Sequence, residues 1–327
     1  MTTADLSSQE KVKLFDATLP HEKAKELISG AAQKFHAITS TTQRFHLTFF
    51  ALAFGELSAF IVLSYFSKSL LIAICLAGLC LSAFSYFLLR FYLEAKKPQQ
   101  MAEIVTSYVA SCREAGGEKT STLSLAQMLH YLADSLDIPQ NLSAFSFLQT
   151  VMQKLRVWMH WKEVLEMKEL LLHEAIFYHV EMVKIEPMDL QIHGSLAHAY
   201  LSLAKLYLPS DAWPWIPAEY ASRSMEEKYE ENMESAIQEF KILDFLAPND
   251  AWVHAQLAHI YEEMGDVEKE VQEYEMLLQI SPDDHELHYR LGVLYFQRNE
   301  TAKALLLYQK LKESSSPRAQ ELISYYY

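Results

Sequence analysis

Apolar residues run almost unbroken from Phe45 to Phe66 and again from Leu70 to Leu89. The first run holds one charge, Glu56, and the second holds none. Each is long enough to cross a bilayer as a helix. A carboxylate at mid-membrane costs roughly 3 kcal/mol, whereas each Phe, Leu, Ile or Val contributes about −0.4 kcal/mol, and the first run has twelve of them. Insertion therefore wins. Only Ser67, Lys68 and Ser69 separate the runs, so the second helix must turn straight back, which predicts an antiparallel transmembrane hairpin over residues 45–93. Small residues recur at every fourth position (Ala51, Gly55, Ala59; Ala73, Ala77; Gly78, Ser82). That spacing permits close backbone approach in lipid, and Glu56 is expected to face the partner helix or another copy of the chain.

Lys34, Arg44, Arg90, Lys96 and Lys97 flank the hairpin, against Lys68 alone in its turn. The positive-inside bias then places both termini in the cytoplasm, as an integral two-pass membrane protein. The first apolar run begins too late for a cleaved signal peptide and is expected to stay in the mature chain. The competing reading is a pair of buried core helices in a soluble domain.

Beyond the hairpin the apolar spacing is helical. Residues 1–44 form a polar N-terminal helical segment, and residues 98–155 a helical linker. In the linker, Glu103 to Glu114 predicts a helix closed by Gly116 and Gly117. Ser124 and Gln127 make a capping-box pattern before Met128, Leu129 and Leu132, and Pro139 marks the end of that helix.

From residue 156 onward the pattern repeats. Residues 251–284 carry Leu257, Ala258, Tyr261, Gly265, Tyr274 and Pro282, and residues 285–318 carry Leu291, Gly292, Tyr295, Ala304 and Tyr308 on the same frame, a period of 34. This resembles the tetratricopeptide repeat (TPR) family, whose two antiparallel helices interlock through small residues and fill the remaining space with aromatics. Glu270 stands where a small residue is expected, and Asn299 where the other unit has Gly265. An earlier unit pairs Leu196, Ala197 and Tyr200 with Ala236, Phe240 and Pro248 across an insertion at about 209–232 that contains Trp213, Pro214, Trp215 and Pro217. A degenerate unit has a first helix around Trp158 to Glu169, with Glu163 at the small position, and ends with Ala175, Met182, Ile185 and Pro187. Ser316 and Pro317 open a C-terminal capping helix.

The resemblance implies partner binding on the concave face, lined by the first helix of each unit. Carried over by position, that face includes His198, Trp252, His259, Glu262, Tyr289 and Phe296, with Arg290 at its edge. Two readings of Trp252 and Phe296 stay open, interface anchor or packing between helices. Family members that capture C-terminal carboxylates use a Lys and Asn set where this chain has Ala255, His259 and Tyr289.

Composition narrows this to an all-α fold, because eight Gly and ten Pro in 327 residues leave few turn signals; together with the apolar runs and the resemblance, the expectation is a transmembrane helical hairpin followed by a TPR-like α-solenoid. Cys75, Cys80 and Cys112 offer no disulfide framework or CxxC site. The formal charge of −14 comes from residues 217–284, which hold 18 acids and 4 bases, while the rest holds 24 of each. Such a surface repels nucleic acid. No HExxH, phosphate loop, nucleophile elbow or dinucleotide fingerprint occurs. The expectation is a non-enzyme with no cofactor or metal: a membrane-tethered scaffold that recruits protein or peptide partners and meets the lipid bilayer through its hairpin, which also offers a surface for a homo-oligomer. Two alternatives stand beside it. The bilobed hairpin resembles the inclusion-membrane proteins of chlamydia-type bacteria, which implies a secreted effector. Glu56 could instead serve a membrane transporter or enzyme subunit.

Overall fold

The structure is a computed structural model that describes residues 21–65, 69–116, 122–136, 146–208 and 223–326. The expected turn at Ser67 and Lys68, the helix stops at Gly117 and Pro139, and insertion residues Trp213, Pro214, Trp215 and Pro217 lie outside the described residues. Among the described residues there are eleven helices and no strand. They form two compact units, Met1–Tyr178 with Leu206–Met225, and His179–Lys205 with Glu226–Tyr327.

In the first unit α1 (His21–Tyr65) and α2 (Ser69–Gly116) are antiparallel helices of 45 and 48 residues. At 1.5 Å per residue each is about 70 Å long. Their shared seam follows intervals of three and four. Ala24, Ala31, Phe35, Thr39 and Thr42 are buried on α1, followed by half-buried Phe49, Glu56, Phe60 and Leu63. On α2, half-buried Ile72, Cys75, Leu79, Ser82, Tyr86 and Leu93 lead to buried Lys97, Met101, Ile104, Val105 and Tyr108. This is a heptad-like stripe shared by the two helices.

The seam corrects two expectations. Ala51, Gly55 and Ala59 are exposed, and a Cβ on Gly55 would meet nothing within 4 Å. Large side chains set the helix spacing instead: the Phe45 and Tyr86 rings stack with centroids 5.6 Å apart. Second, no break separates the hairpin from a later linker helix, because α2 continues through Pro98 to Gly116. The proline deprives one backbone carbonyl of its helical partner, and the neighbouring residue supplies a strong tie. Buried Lys97 pairs with buried Glu163 at 2.5 Å and with Glu94 at 3.3 Å. Burial alone would push the Lys97 pKa down, but the two carboxylates outweigh it and hold it above the usual lysine value.

The lower halves of α1 and α2 pack against α3 (Thr122–Ser135), which buries Leu125, Met128, Leu129 and Leu132. Tyr108 donates to the Met128 carbonyl at 3.0 Å, and burial pushes the Cys112 thiol beside it up to about 11. The upper half of the hairpin is different. Both helices contain a stretch apolar and long enough to cross a membrane, and none of either stretch is buried within the chain. Phe50, Phe54, Phe84, Phe87 and Phe91 are all more than 60% exposed.

Helix α4 (Ser146–Ile185) is one unbroken helix of 40 residues. The two helices expected of a degenerate repeat are therefore absent. Residues 146–185 contain no Gly, Pro, Asn or Asp, so nothing there makes a turn.

The second unit continues with α5 (Leu190–Lys205), α6 (Arg223–Leu246), α7 (Ala251–Met264), α8 (Val267–Ile280), α9 (His285–Gln297), α10 (Thr301–Glu313) and α11 (Arg318–Ile323). It is a TPR-like α-solenoid whose starts and stops repeat. Asp189, Asp250 and Asp284 each accept a backbone N–H at the start of α5, α7 and α9, at 2.7, 2.9 and 2.8 Å. The first helix of each regular pair ends on a left-handed residue, Gly265 at φ 72° and Asn299 at φ 60°. Asn tolerates that region better than most side chains do, which is why the frame survives the loss of the glycine. Ala258, Tyr274, Leu291, Tyr295 and Ala304 close one core between the pairs. Leu322 of α11 lies against Gly292, where a Cβ would stand 2.6 Å from its Cδ2.

Candidate functional site

The seven candidate residues do not share one place on the second unit. On α5 and α7, His198 and Trp252 have ring centroids 5.7 Å apart, and both rings meet buried Phe240 of α6, at 6.1 and 5.8 Å. The Trp252 ring also covers Gly194, where a Cβ would come within 3.7 Å of it. Trp252 still leaves 37% of its surface exposed, so it is a packing residue with one open face. Phe296 sits under Tyr326, with centroids 6.1 Å apart, and joins the packing around α11.

His259 occupies another place, exposed on α7 between Glu262 at 3.4 Å and Glu263 at 3.2 Å. The Glu263 hydrogen bond, chiefly, raises the His259 pKa against the opposing effect of burial. Lys205 reaches Glu263 at 3.1 Å.

The remaining candidates, Glu262, Tyr289 and Arg290, come together in a cleft of about 420 Å³. Helices α7, α8, α9 and α11 contribute its walls, including Glu270, Tyr274, Glu286, Arg318 and Tyr325. Both arginines are already engaged. Arg290 donates to the Tyr274 hydroxyl at 3.3 Å and lies 3.5 Å from Glu286. Arg318 pairs with Glu286 at 2.9 Å and Glu321 at 2.6 Å, and its guanidinium lies 4.7 Å over the Tyr289 ring. Glu270, in contrast, is 6% exposed. Burial and the nearby Glu262 charge raise its pKa, and Arg290 opposes them.

Sequence reasoning passed over a second set of residues, the buried histidines. His193 Nδ1 meets Glu239 at 2.6 Å and its Nε2 meets the Pro187 carbonyl at 3.1 Å. His254 repeats this with Glu273 at 2.8 Å and the Pro248 carbonyl at 3.4 Å. Each histidine latches the first helix of a pair to the second and to the preceding turn. The written signal is Pro-x-Asp-x-x-x-His, present at 187–193, 248–254 and 282–288. In the last unit the position equivalent to Glu273 is Leu307, and buried His288 keeps only the Asp284 carbonyl, at 2.8 Å, leaving Nε2 without a partner among the described residues.

In the hairpin, Glu56 accepts a hydrogen bond from Ser82 at 2.7 Å, and a Cβ on Gly78 would lie 3.8 Å from its other oxygen. Tyr86 and His46 meet at 3.1 Å along the same seam. The carboxylate thus ties helix to helix. Among the described residues no three His, Cys, Asp or Glu side chains converge as a metal ion requires.

Among solved structures, the chain overlays on a thermophilic TPR protein from Thermus thermophilus at 15% identity, covering 72% of this chain and 95% of that one, with a TM-score of 0.33. It overlays on the human IFIT1 dimer with m7Gppp-AAAA at 14% identity, covering 94% and 86%, with a TM-score of 0.34. The overlay on MamA has 17% identity, 46% and 91% coverage and a TM-score of 0.26. No family model matches the chain, and no curated protein matches it. The assignment of the second unit as TPR-like accordingly stands on its own repeated caps, turns and helix pairs.

Proposed function

We propose that this chain is a membrane-tethered, non-enzymatic scaffold whose repeats recruit protein or peptide partners on the cytoplasmic side. The observation that carries the reading is the hairpin. Two helices bury none of their apolar stretches, and a contiguous apolar surface of that size in water drives aggregation unless lipid or protein covers it. A bilayer covers both helices at once, and the hairpin satisfies its own backbone hydrogen bonds, as a span in lipid requires. The Glu56–Ser82 bond offsets part of the cost of the one charged residue and supports a packing role for it, in place of a transport path. The uncovered stripe of Ala51, Gly55 and Ala59 suits close approach by a second copy.

On the repeats, partner contact is assigned to His198, Trp252, His259, Glu262, Tyr289, Arg290 and Phe296, with the open face of Trp252 and the cleft beside Tyr289 as its two anchors. Protease protection in sealed vesicles of known orientation tests the topology. Protease on the cytoplasmic face should degrade the repeats and leave a protected fragment around residues 45–93. Repeats that resist while the vesicles stay sealed sink the orientation, and a hairpin digested along with them sinks the anchor.

A further inference from the structure

The cleft contains a carboxylate that no described side chain pairs with. Glu270 is more than nine-tenths buried, lines the cavity, and has no hydrogen bond or ion pair to any described side chain. It stands at the small position of its repeat, where the next unit has Ala304. Its stem is held in the wall while the carboxylate opens into the cleft, so burial disfavours the charged form and a cation entering the cleft would favour it again. Arg290 relieves the burial effect only in part, because Arg290 and Arg318 are committed to Tyr274, Glu286 and Glu321. Three acids and two arginines line the space, so its unspent charge is negative. Tyr274, Tyr289 and Tyr325 surround it with aromatic faces and hydroxyls, the surroundings in which a cation is well held.

We propose that this cleft accepts a cationic side chain, a Lys ammonium or an Arg guanidinium presented by a protein partner, with Glu270 as the carboxylate that receives it and Glu262 as its neighbour. The proposal rests on the scaffold reading above and gives it a chemistry. A volume of about 420 Å³ holds one long side chain with its flanking backbone, toward the small end of ligand sites. An anion is the wrong guest: a partner carboxylate on Arg290 or Arg318 would have to displace Glu286 and would lie beside Glu262 and Glu270.

The test uses the full chain in lipid nanodiscs and ligand-observed NMR with short glycine peptides that carry one Lys, Arg, norleucine or Glu, with spermidine as a non-peptide cation. The Lys or Arg peptide should bind, the norleucine and Glu peptides should not, and Glu270→Gln should weaken binding at least about tenfold. The melting temperature of Glu270→Gln should equal or exceed that of the wild type, which separates a lost site from a lost fold. Binding that ignores the charge, favours the Glu peptide or spermidine, or survives Glu270→Gln overturns the proposal. Cross-linking in the native membrane runs alongside. A partner recovered equally with wild type and Glu270→Gln removes the cleft and leaves the scaffold standing. Recovery of no partner by either removes the scaffold, and the peptide titration still decides the cleft.

Discussion

His254 holds an acceptor at each ring nitrogen, the Glu273 carboxylate on one side and the Pro248 carbonyl on the other. An imidazole can donate at both only when protonated. Burial pushes its pKa down, but the Glu273 hydrogen bond, the Pro248 carbonyl and the Glu273 and Asp244 charges together raise it above 6.5. A raised folded-state pKa means that the latch contributes fully below the unfolded value and is lost as pH rises through the folded one. Melting of the full chain in detergent should therefore show stability that falls as pH rises from about 6.5, and Glu273→Gln should flatten that fall. A pH slope that Glu273→Gln does not change would refute the latch. The Pro-x-Asp-x-x-x-His frame was legible in the sequence; its meaning was not, because the acid that completes each latch lies 19 or 46 residues further on. Glu163 teaches the same lesson. It read as a defect in a repeat, and the structure supplies Lys97 as its reason.

Elements were legible where a local rule sets them and illegible where packing does. The two regular pairs α7–α8 and α9–α10 follow from small and aromatic positions, and their ends from Asp caps and the Gly265 and Asn299 turns. The seam between α1 and α2 escaped notice because Thr39, Thr42, His46 and Glu56 interrupt it with polar residues, so an apolar count does not trace it. The hydrophobic lengths marked the two candidate spans but not that each continues as the same helix into a packed bundle. At the far end of the chain, the packing of α11 turns on one position. Gly292 leaves no room for a methyl group against Leu322, which is wholly buried. Gly292→Ala should cost about 1–3 kcal/mol by overpacking and raise amide hydrogen exchange in α11. Leu322→Ala should cost less in the Gly292→Ala background than in the wild type, since the added methyl group fills part of the space it opens. Two changes whose costs simply add would show that the glycine acts elsewhere.

At the scale of the whole molecule the charge and the apolar surface occupy different stretches of chain. The described acidic residues of 223–284 fall on the repeats, whereas the hairpin sets His46, Glu56, Ser82 and Tyr86 along one half-buried seam and exposes Phe50, Phe54, Phe84, Phe87 and Phe91. If the bare upper hairpin is a lipid-facing anchor, its removal deletes no core. The packing below it, Phe35 with Met101, Ile104, Tyr108 and the α3 leucines, should then hold without it. Joining residue 44 to residue 94 through a short flexible linker is expected to give a chain that stays in the aqueous phase without detergent. Its helical circular dichroism should be reduced only by the excised segment, and the His254-linked pH dependence of melting should be retained. The wild type should partition into detergent. If residues 45–93 were instead core helices of a water-soluble domain, the excision would expose the surfaces that packed on them, and the product would aggregate or lose the pH signature. The two readings thus demand opposite outcomes from one deletion, and the test depends on the physical property that distinguishes them, apolar surface left unburied by the chain itself.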